Sequence, residues 1–183
     1  MKLSADQKQA LEKIIQWLKT PNRSPNYFTF GGYAGTGKTT LTALLRQILH
    51  KRNPKIKIAL VSYTGKAARV LNTTLVQQKA SYKQDFVGTI HSLIYAPMIN
   101  EKSDIIGWDK KKSLDVKLII VDEASMVNYD IWQDLLSFNI PIIAIGDHGQ
   151  LPPIEGKFNL MEKPNIKLEK IHRQAADNPI IKL

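Results

Sequence analysis

Apolar residues along this chain recur in two periods, and their alternation sets the expected architecture. From Ser4 to Lys19, the residues Ala10, Leu11, Ile14, Ile15 and Leu18 fall on one face, which predicts an amphipathic helix. Ser4 and Gln7 stand at capping-box spacing, S-x-x-Q, at its start. Pro21 to Pro25 reads as a linker, and the aromatic, β-favouring Tyr27 to Phe30 as a strand. Leu41, Leu44, Leu45, Ile48 and Leu49 then form one helical stripe, ended by Pro54. Lys55 to Tyr63 predicts a second strand, running into a helix from Thr64 through Leu71 with Ala67, Leu71 and Leu75 on one face. A strand over Gln84 to Val87, a short Thr89-Ile90-His91 segment and apolar Leu93 to Tyr95 follow. Met98 to Trp108 fits either a small hairpin around Asn100 to Asp104 or a loop.

Lys117 to Val121 is nearly continuous in apolar residues, as a parallel strand covered on both faces should be. Val127, Ile131, Leu135 and Leu136 mark a further helix, Ile140 to Ile145 another buried strand, and Ile166 to Ile171 a last short one. Strands alternating with helices predict an α/β fold, a mostly parallel sheet with helices on both faces and ligands at the strand carboxyl ends.

Composition narrows the partners. A chain of 183 residues suffices for one well-cored domain and would cramp two. No apolar run is long enough to span a bilayer, and the N-terminus has no signal-peptide core. The absence of cysteine excludes disulfides and thiolate metal sites, so a cytoplasmic location is expected and no membrane partner. Lys plus Arg is 26 against 16 for Asp plus Glu, and a net charge of +10 favours nucleic acid as partner. Lys110, Lys111 and Lys112 fit a solvated run or a place beside that polyanion.

The chemistry starts at the end of the first strand. Gly32 to Thr39, G-Y-A-G-T-G-K-T, matches the phosphate-binding loop G-x-x-x-x-G-K-[ST]. Gly32, Gly35 and Gly37 let successive N–H groups turn toward phosphate oxygens, with Ala34, Thr36 and Thr40 completing the cradle. Lys38 supplies a point charge for the β- and γ-phosphates, the Thr39 hydroxyl a ligand for Mg²⁺, and the following helix N-terminus further amides. A nucleoside triphosphate and Mg²⁺ are therefore the expected ligands. At the end of the strand Lys117 to Val121, Asp122 can hold Mg²⁺ opposite Thr39, and Glu123 can orient and deprotonate the attacking water. Two adjacent carboxylates are costly to desolvate without a cation. Gln150, in a Gly- and Pro-rich turn, and Arg173 can both reach a γ-phosphate, although each also fits a plain turn or surface role.

In order along the chain, the phosphate loop, Thr64-Gly65-Lys66-Ala67-Ala68, Thr89-Ile90-His91, Asp122-Glu123-Ala124-Ser125, Gly146 to Ile154 and Arg173-Gln174 resemble the helicase motifs of superfamily 1. They look most like the RecD/Dda-type group, which moves 5′ to 3′ on single-stranded DNA. The resemblance implies a RecA-like P-loop NTPase fold and an ATP-dependent DNA helicase of replication, repair or recombination. It gives Gln7 as the adenine-reading glutamine, a role compatible with capping if the backbone caps while the side chain reads. It gives Lys38, Glu123, Gln150 and Arg173 as catalytic, and Thr64, Gly65, Lys66, Thr89 and His91 as lying along the DNA. Ser62-Tyr63 replace the small residue and Pro that the family often has there, so Tyr63 is open to base stacking or to a core role. These helicases have two RecA-like domains with ATP in the cleft between them. Residues 1–183, stopping just past Arg173, are thus expected to be the first motor domain, a natural short protein or a fragment, partnered by a second RecA-like domain or by replication proteins. The segment at about 96–112 sits where relatives insert a strand-separating hairpin. A non-catalytic module binding nucleotide or DNA is the alternative of another class. A nucleoside kinase is disfavoured because the chain has no Arg-rich lid segment.

Overall fold

Runs of branched aliphatic residues in the middle of the chain build the centre of one parallel sheet. The computed structural model describes residues 3–147, 149 and 158–168. Among these residues the sheet has six strands, β1 (Tyr27–Gly32), β2 (Ile58–Ser62), β3 (Phe86–Thr89), β6 (Leu118–Asp122), β7 (Ile142–Gly146) and β8 (Ile166–Leu168), in the order β3-β2-β6-β7-β1-β8. Every neighbouring pair is parallel. Between β3 and β6 the chain makes a separate antiparallel hairpin of β4 (Tyr95–Ile99) and β5 (Ile105–Lys110).

Side chains alternate across each strand, so the sheet has two apolar faces to cover. Phe28, Phe30, Ile58, Leu60, Leu118, Ile120, Ile143 and Ile145 pack on one side with Ala10, Leu11 and Ile14 of α1 (Ala5–Lys19), Leu41 and Leu45 of α2 (Lys38–Arg52), and Leu71 and Leu75 of α3 (Gly65–Gln77). Ala59, Val61, Ile119, Val121, Ile142 and Ala144 pack on the other with Ile90, Leu93 and Ile94 of α4 (Ile90–Ile94) and Trp132 and Leu135 of α5 (Tyr129–Ser137). The mostly parallel sheet with helices on both faces is therefore as expected, and the hairpin alternative for Met98 to Trp108 is the one adopted.

Boundaries move where a side chain intervenes. The second strand starts at Ile58 because Asn53 Oδ1 accepts from Lys55 N at 3.1 Å, bending the chain beyond Pro54. The helix expected from Val127 starts at Tyr129, since Asn128 caps it by accepting from Ile131 N, with a 3-10 turn over Ala124–Met126 before it. The strand expected from Gln84 starts at Phe86, because Asp85 turns inward to a buried partner. The part of the last strand beyond Leu168 lies outside the described residues.

That partner is Arg46 of α2. Its guanidinium meets Asp85 through Nε at 2.5 Å and an Nη at 3.0 Å, with both side chains at most 1% exposed. Asp85 also accepts from Ile58 N at 3.2 Å, and Arg46 lies 4.3 Å from the Tyr82 ring centroid. One carboxylate thus ties the phosphate-loop helix to the start of β2. Asp85→Ala strands a buried cation and a backbone N–H, and an expected loss of about 3–5 kcal/mol follows. Urea unfolding measures it, and a loss below about 1 kcal/mol, the level of an exposed pair, would contradict this view of the pair.

Candidate nucleotide and nucleic-acid site

All strands of the sheet run the same way, so their carboxyl ends form one edge. Gly32 ends β1, Ser62 β2, Thr89 β3, Asp122 β6 and Gly146 β7. In register, Thr89 lies beside Ser62 and Ser62 beside Asp122, while Gly31 lies beside Gly146. One edge therefore carries the phosphate loop, the acidic pair and the starts of both segments assigned to DNA.

Gly35 and Gly37 both have φ of +84°, a conformation that L side chains rarely adopt, and Gly37 is the N-cap of α2. No side chain caps this helix and its first turn holds no acidic residue, so its leading amides remain available to an anion. Thr36 is fully buried, its hydroxyl donating to Tyr33 O at 2.9 Å. Lys38 folds back over the loop, donating to Gly32 O at 2.7 Å and Tyr33 O at 3.1 Å. Those two bonds place the ammonium at the mouth of the cradle. Gly32 is buried, Ala34 exposed, and Gly35, Thr39 and Thr40 are half-buried, the last accepting from Gln78 Nε2 at 3.3 Å.

Gln7 does more than the spacing suggests. Its Oε1 accepts from Ser4 N at 3.1 Å, closing the capping box, so the side chain itself caps and not the backbone alone. The reason is that the N-cap N–H needs an acceptor, which only the amide oxygen supplies. Nε2 donates to Thr36 O at 3.1 Å, so α1 is tethered directly to the phosphate loop.

Asp122 is 6% exposed at the end of β6. Burial pushes its carboxyl up to about 6, the charge of Glu123 adds to this, and the Glu123 N–H and the nearby Lys38 ammonium oppose it. A carboxylate so raised gains from a divalent cation, and Asp122 with Thr39 fits the oxygen-donor set that Mg²⁺ takes. Among the described residues no group of three or more His, Cys, Asp or Glu could hold a metal ion, so phosphate oxygens and water would complete such a shell. Glu123 adopts φ 55° and ψ 38°, and its N–H donates to Asp122 Oδ1 at 3.1 Å. A non-glycine residue in that left-handed region is a strained backbone of the kind that gathers at functional sites. The strand ends at Asp122, and the left-handed backbone turns the chain at Glu123.

The DNA-assigned residues divide. Thr64 caps α3, accepting from Ala67 N at 3.2 Å, and Thr89 caps α4, accepting from Ser92 N at 3.1 Å. Gly65 and Lys66 are exposed at the start of α3, with open space where a Gly65 Cβ would stand. Tyr63 is partly buried against the second core face. His91 sits among rings, 4.5 Å from Tyr95 and 4.5 Å from Trp108 between centroids. Of the three hairpin-side lysines, Lys110 pairs with Asp134 at 2.9 Å and Lys111 donates to Ser92 O and Leu93 O, each at 2.9 Å. Gln150 and Arg173 lie outside the described residues.

Two residues inside the motifs carry contacts although the sequence reading gave them no role. Asp147, 9% exposed, follows β7 and accepts from Gly149 N at 2.9 Å; an acid ending the strand next to that of Asp122 was the available signal. Tyr33 lies against Gly149, as an added Cβ there would sit 2.8 Å from its ring, and nothing in the sequence pairs the two.

A family model described as an AAA domain matches residues 17–156. The RecD subunit of the RecBCD enzyme from Buchnera aphidicola subsp. Schizaphis graminum is 30% identical over 200 residues, covering 98% of this chain and 32% of that protein. The ATP-dependent RecD2 DNA helicase of Deinococcus radiodurans is 32% identical over 158 residues, covering 82% of this chain and 20% of that protein. The ATP-dependent DNA helicase dda of Enterobacteria phage T4 is 30% identical over 159 residues, 84% of this chain and 33% of that protein. The crystal structure of Pif1 helicase from Candida albicans superposes with a TM-score of 0.58 at 20% identity, over 100% of this chain and 43% of that one, a likeness of fold. The chain spans about a third or less of the length of these curated relatives.

Proposed function

This chain belongs to the AAA-domain family as a motor domain of the RecD/Dda-like branch of superfamily 1 helicases, and on that premise we propose that its 183 residues bind and hydrolyse ATP to drive movement on single-stranded DNA, 5′ to 3′. The observation that carries this is the buried Asp122 within the field of Lys38, with the strained Glu123 beside it at one sheet edge. Lys38 leaves its loop carbonyls for the β- and γ-phosphates, which replace those acceptors with charged ones. Thr39 and Asp122 would hold Mg²⁺, which when bound would neutralise charge on the phosphate oxygens. Glu123 orients the attacking water and takes its proton. Gln150 and Arg173 keep the γ-phosphate roles that the resemblance gives them, and Gln7 the adenine.

The strand lies across the carboxyl ends of β2 and β3. Thr64 uses a hydroxyl lone pair for its cap and has its O–H for a phosphate, whereas Thr89 gives its hydroxyl proton to Ser92 Oγ at 2.9 Å and would exchange that acceptor for a phosphate. Gly65 admits close approach, and Lys66 adds charge. A second RecA-like domain, in the same protein or a partner, supplies the other wall of the ATP cleft and the rest of the DNA track, with residues 1–183 as the first motor domain. Closure and opening of that cleft shift the pair between two states.

Binding to a labelled oligo-dT should be salt-sensitive because phosphate contacts release counterions. Lys66→Ala should lower affinity for all sequences alike and reduce the salt slope by about one unit, read by fluorescence anisotropy over a salt series. An unchanged slope would place Lys66 away from the strand. No binding of ATP to the chain would instead overturn the motor-domain proposal itself.

A further inference from the structure

Among the described residues the β4–β5 hairpin pairs with no other strand and forms a sheet of its own. Two strands alone are marginal in water. Its outer part does not pack on the body, with Met98, Ile99, Ile105 and Ile106 between 44% and 65% exposed. Whatever fixes its direction must therefore act at the root.

Three ties converge there. Tyr95 and Lys110 face each other across the first register pair. The Tyr95 hydroxyl donates to Oδ2 of Asp134, and Lys110 Nζ donates to Oδ1 of the same carboxylate at 2.9 Å, so one α5 side chain grips both strands. Burial and the Asp134 bond push the Tyr95 phenol up to about 12, as a donor held on a carboxylate should be. Two register pairs further out, Trp108 stands opposite Pro97. Its ring meets His91 edge to face at 4.5 Å and 83°, while Tyr95 lies at 4.5 Å and 49° from the same imidazole. Finally Lys111, just past β5, donates its N–H to Ile94 O at 2.9 Å and its Nζ to the two carbonyls before it.

We propose that Asp134 and His91 are positioning residues that hold the β4–β5 hairpin as a rigid arm, and that the His91 ring serves this anchor instead of touching a DNA strand. The imidazole is held between one residue of each strand, which a strand contact would require it to leave. Thr89, two residues earlier, is the N-cap of the same helix and gives its hydroxyl proton to Ser92 Oγ at 2.9 Å, a bond that a phosphate there would replace. A DNA strand at Thr89 and the arm beyond it are thus joined through one five-residue helix. For the arm we rely on packing alone; only the statement about DNA rests on the helicase reading.

The chain has no cysteine, so two introduced ones carry spin labels without background. With Lys102→Cys at the hairpin tip and Asn72→Cys on α3, electron–electron distance measurements on the 183-residue chain should give one narrow distribution. His91→Ala and Asp134→Ala should each broaden it. His91→Phe, which keeps the stacking, and Asp134→Asn, which keeps an acceptor for Tyr95, should stay closer to the parent than the alanine variants. Equal widths in all five proteins would overturn the clamp. For the strand, His91→Ala should bind oligo-dT as the parent does, while Lys66→Ala weakens. A loss in His91→Ala with His91→Phe as weak would return His91 to the DNA and overturn that half. Failure of the parent to bind oligo-dT would count against the helicase reading and leave the clamp to the distance measurement.

Discussion

Glu123→Gln is expected to keep ATP and Mg²⁺ binding and to lose turnover by roughly 10²–10⁴, the usual worth of a positioned general base. Asp122 and Thr39 remain to hold the cation. The amide preserves the shape of the side chain at its left-handed backbone position and removes the charge that adds to burial in raising the Asp122 carboxyl. Nucleotide affinity therefore stays level or improves. Lys38→Ala should fail in both respects, because the β- and γ-phosphates lose their point cation. Isothermal titration with ATP beside a steady-state phosphate-release assay separates the two. If Glu123→Gln lost affinity as badly as Lys38→Ala, the division of labour between the acids would be wrong.

The other large effect concerns the facing wall of the cleft. An arginine that the resemblance assigns to a second RecA-like domain is expected to act on the γ-phosphate from outside these 183 residues. Donors of that kind contribute about 10³–10⁵ in turnover in other NTPases. The 183 residues purified alone should therefore bind ATP loosely, hydrolyse it slowly and show no unwinding. A matching RecA-like second domain, fused or added in trans, should restore most of the lost rate. Robust unwinding by the monomer alone would sink this view and direct attention to a cleft formed between two copies.

The elements most legible in the sequence were those whose signal is local. The phosphate loop, the apolar strands before Asp122 and Gly146, and the Ser4–Gln7 box each follow from spacing within a few residues. Less legible was whatever depends on residues far apart meeting. Arg46 and Asp85 are 39 positions apart, and neither stood out among the 23% of charged residues until the fold made them a buried pair. Gln7 reaches Thr36 across 29 positions, so a residue expected to cap α1 and read adenine also tethers α1 to the phosphate loop. His91 follows its motif by sequence, yet its ring partner Trp108 comes from the far strand of a hairpin that composition left open as a loop. The backbone at Glu123 was also beyond sequence, because a positive φ on a glutamate is imposed by its surroundings and not by its propensity.

The dependence of ATP turnover on single-stranded DNA tests the central claim most directly. Residues 1–183 joined to a RecA-like second domain are mixed with ATP, Mg²⁺ and increasing oligo-dT, and phosphate release is followed. The account predicts a slow rate that rises with the oligonucleotide to saturation, and a rise that disappears in Glu123→Gln. A rate that ignores the oligonucleotide while DNA is bound, or phosphate passed to a nucleoside instead of water, would contradict it.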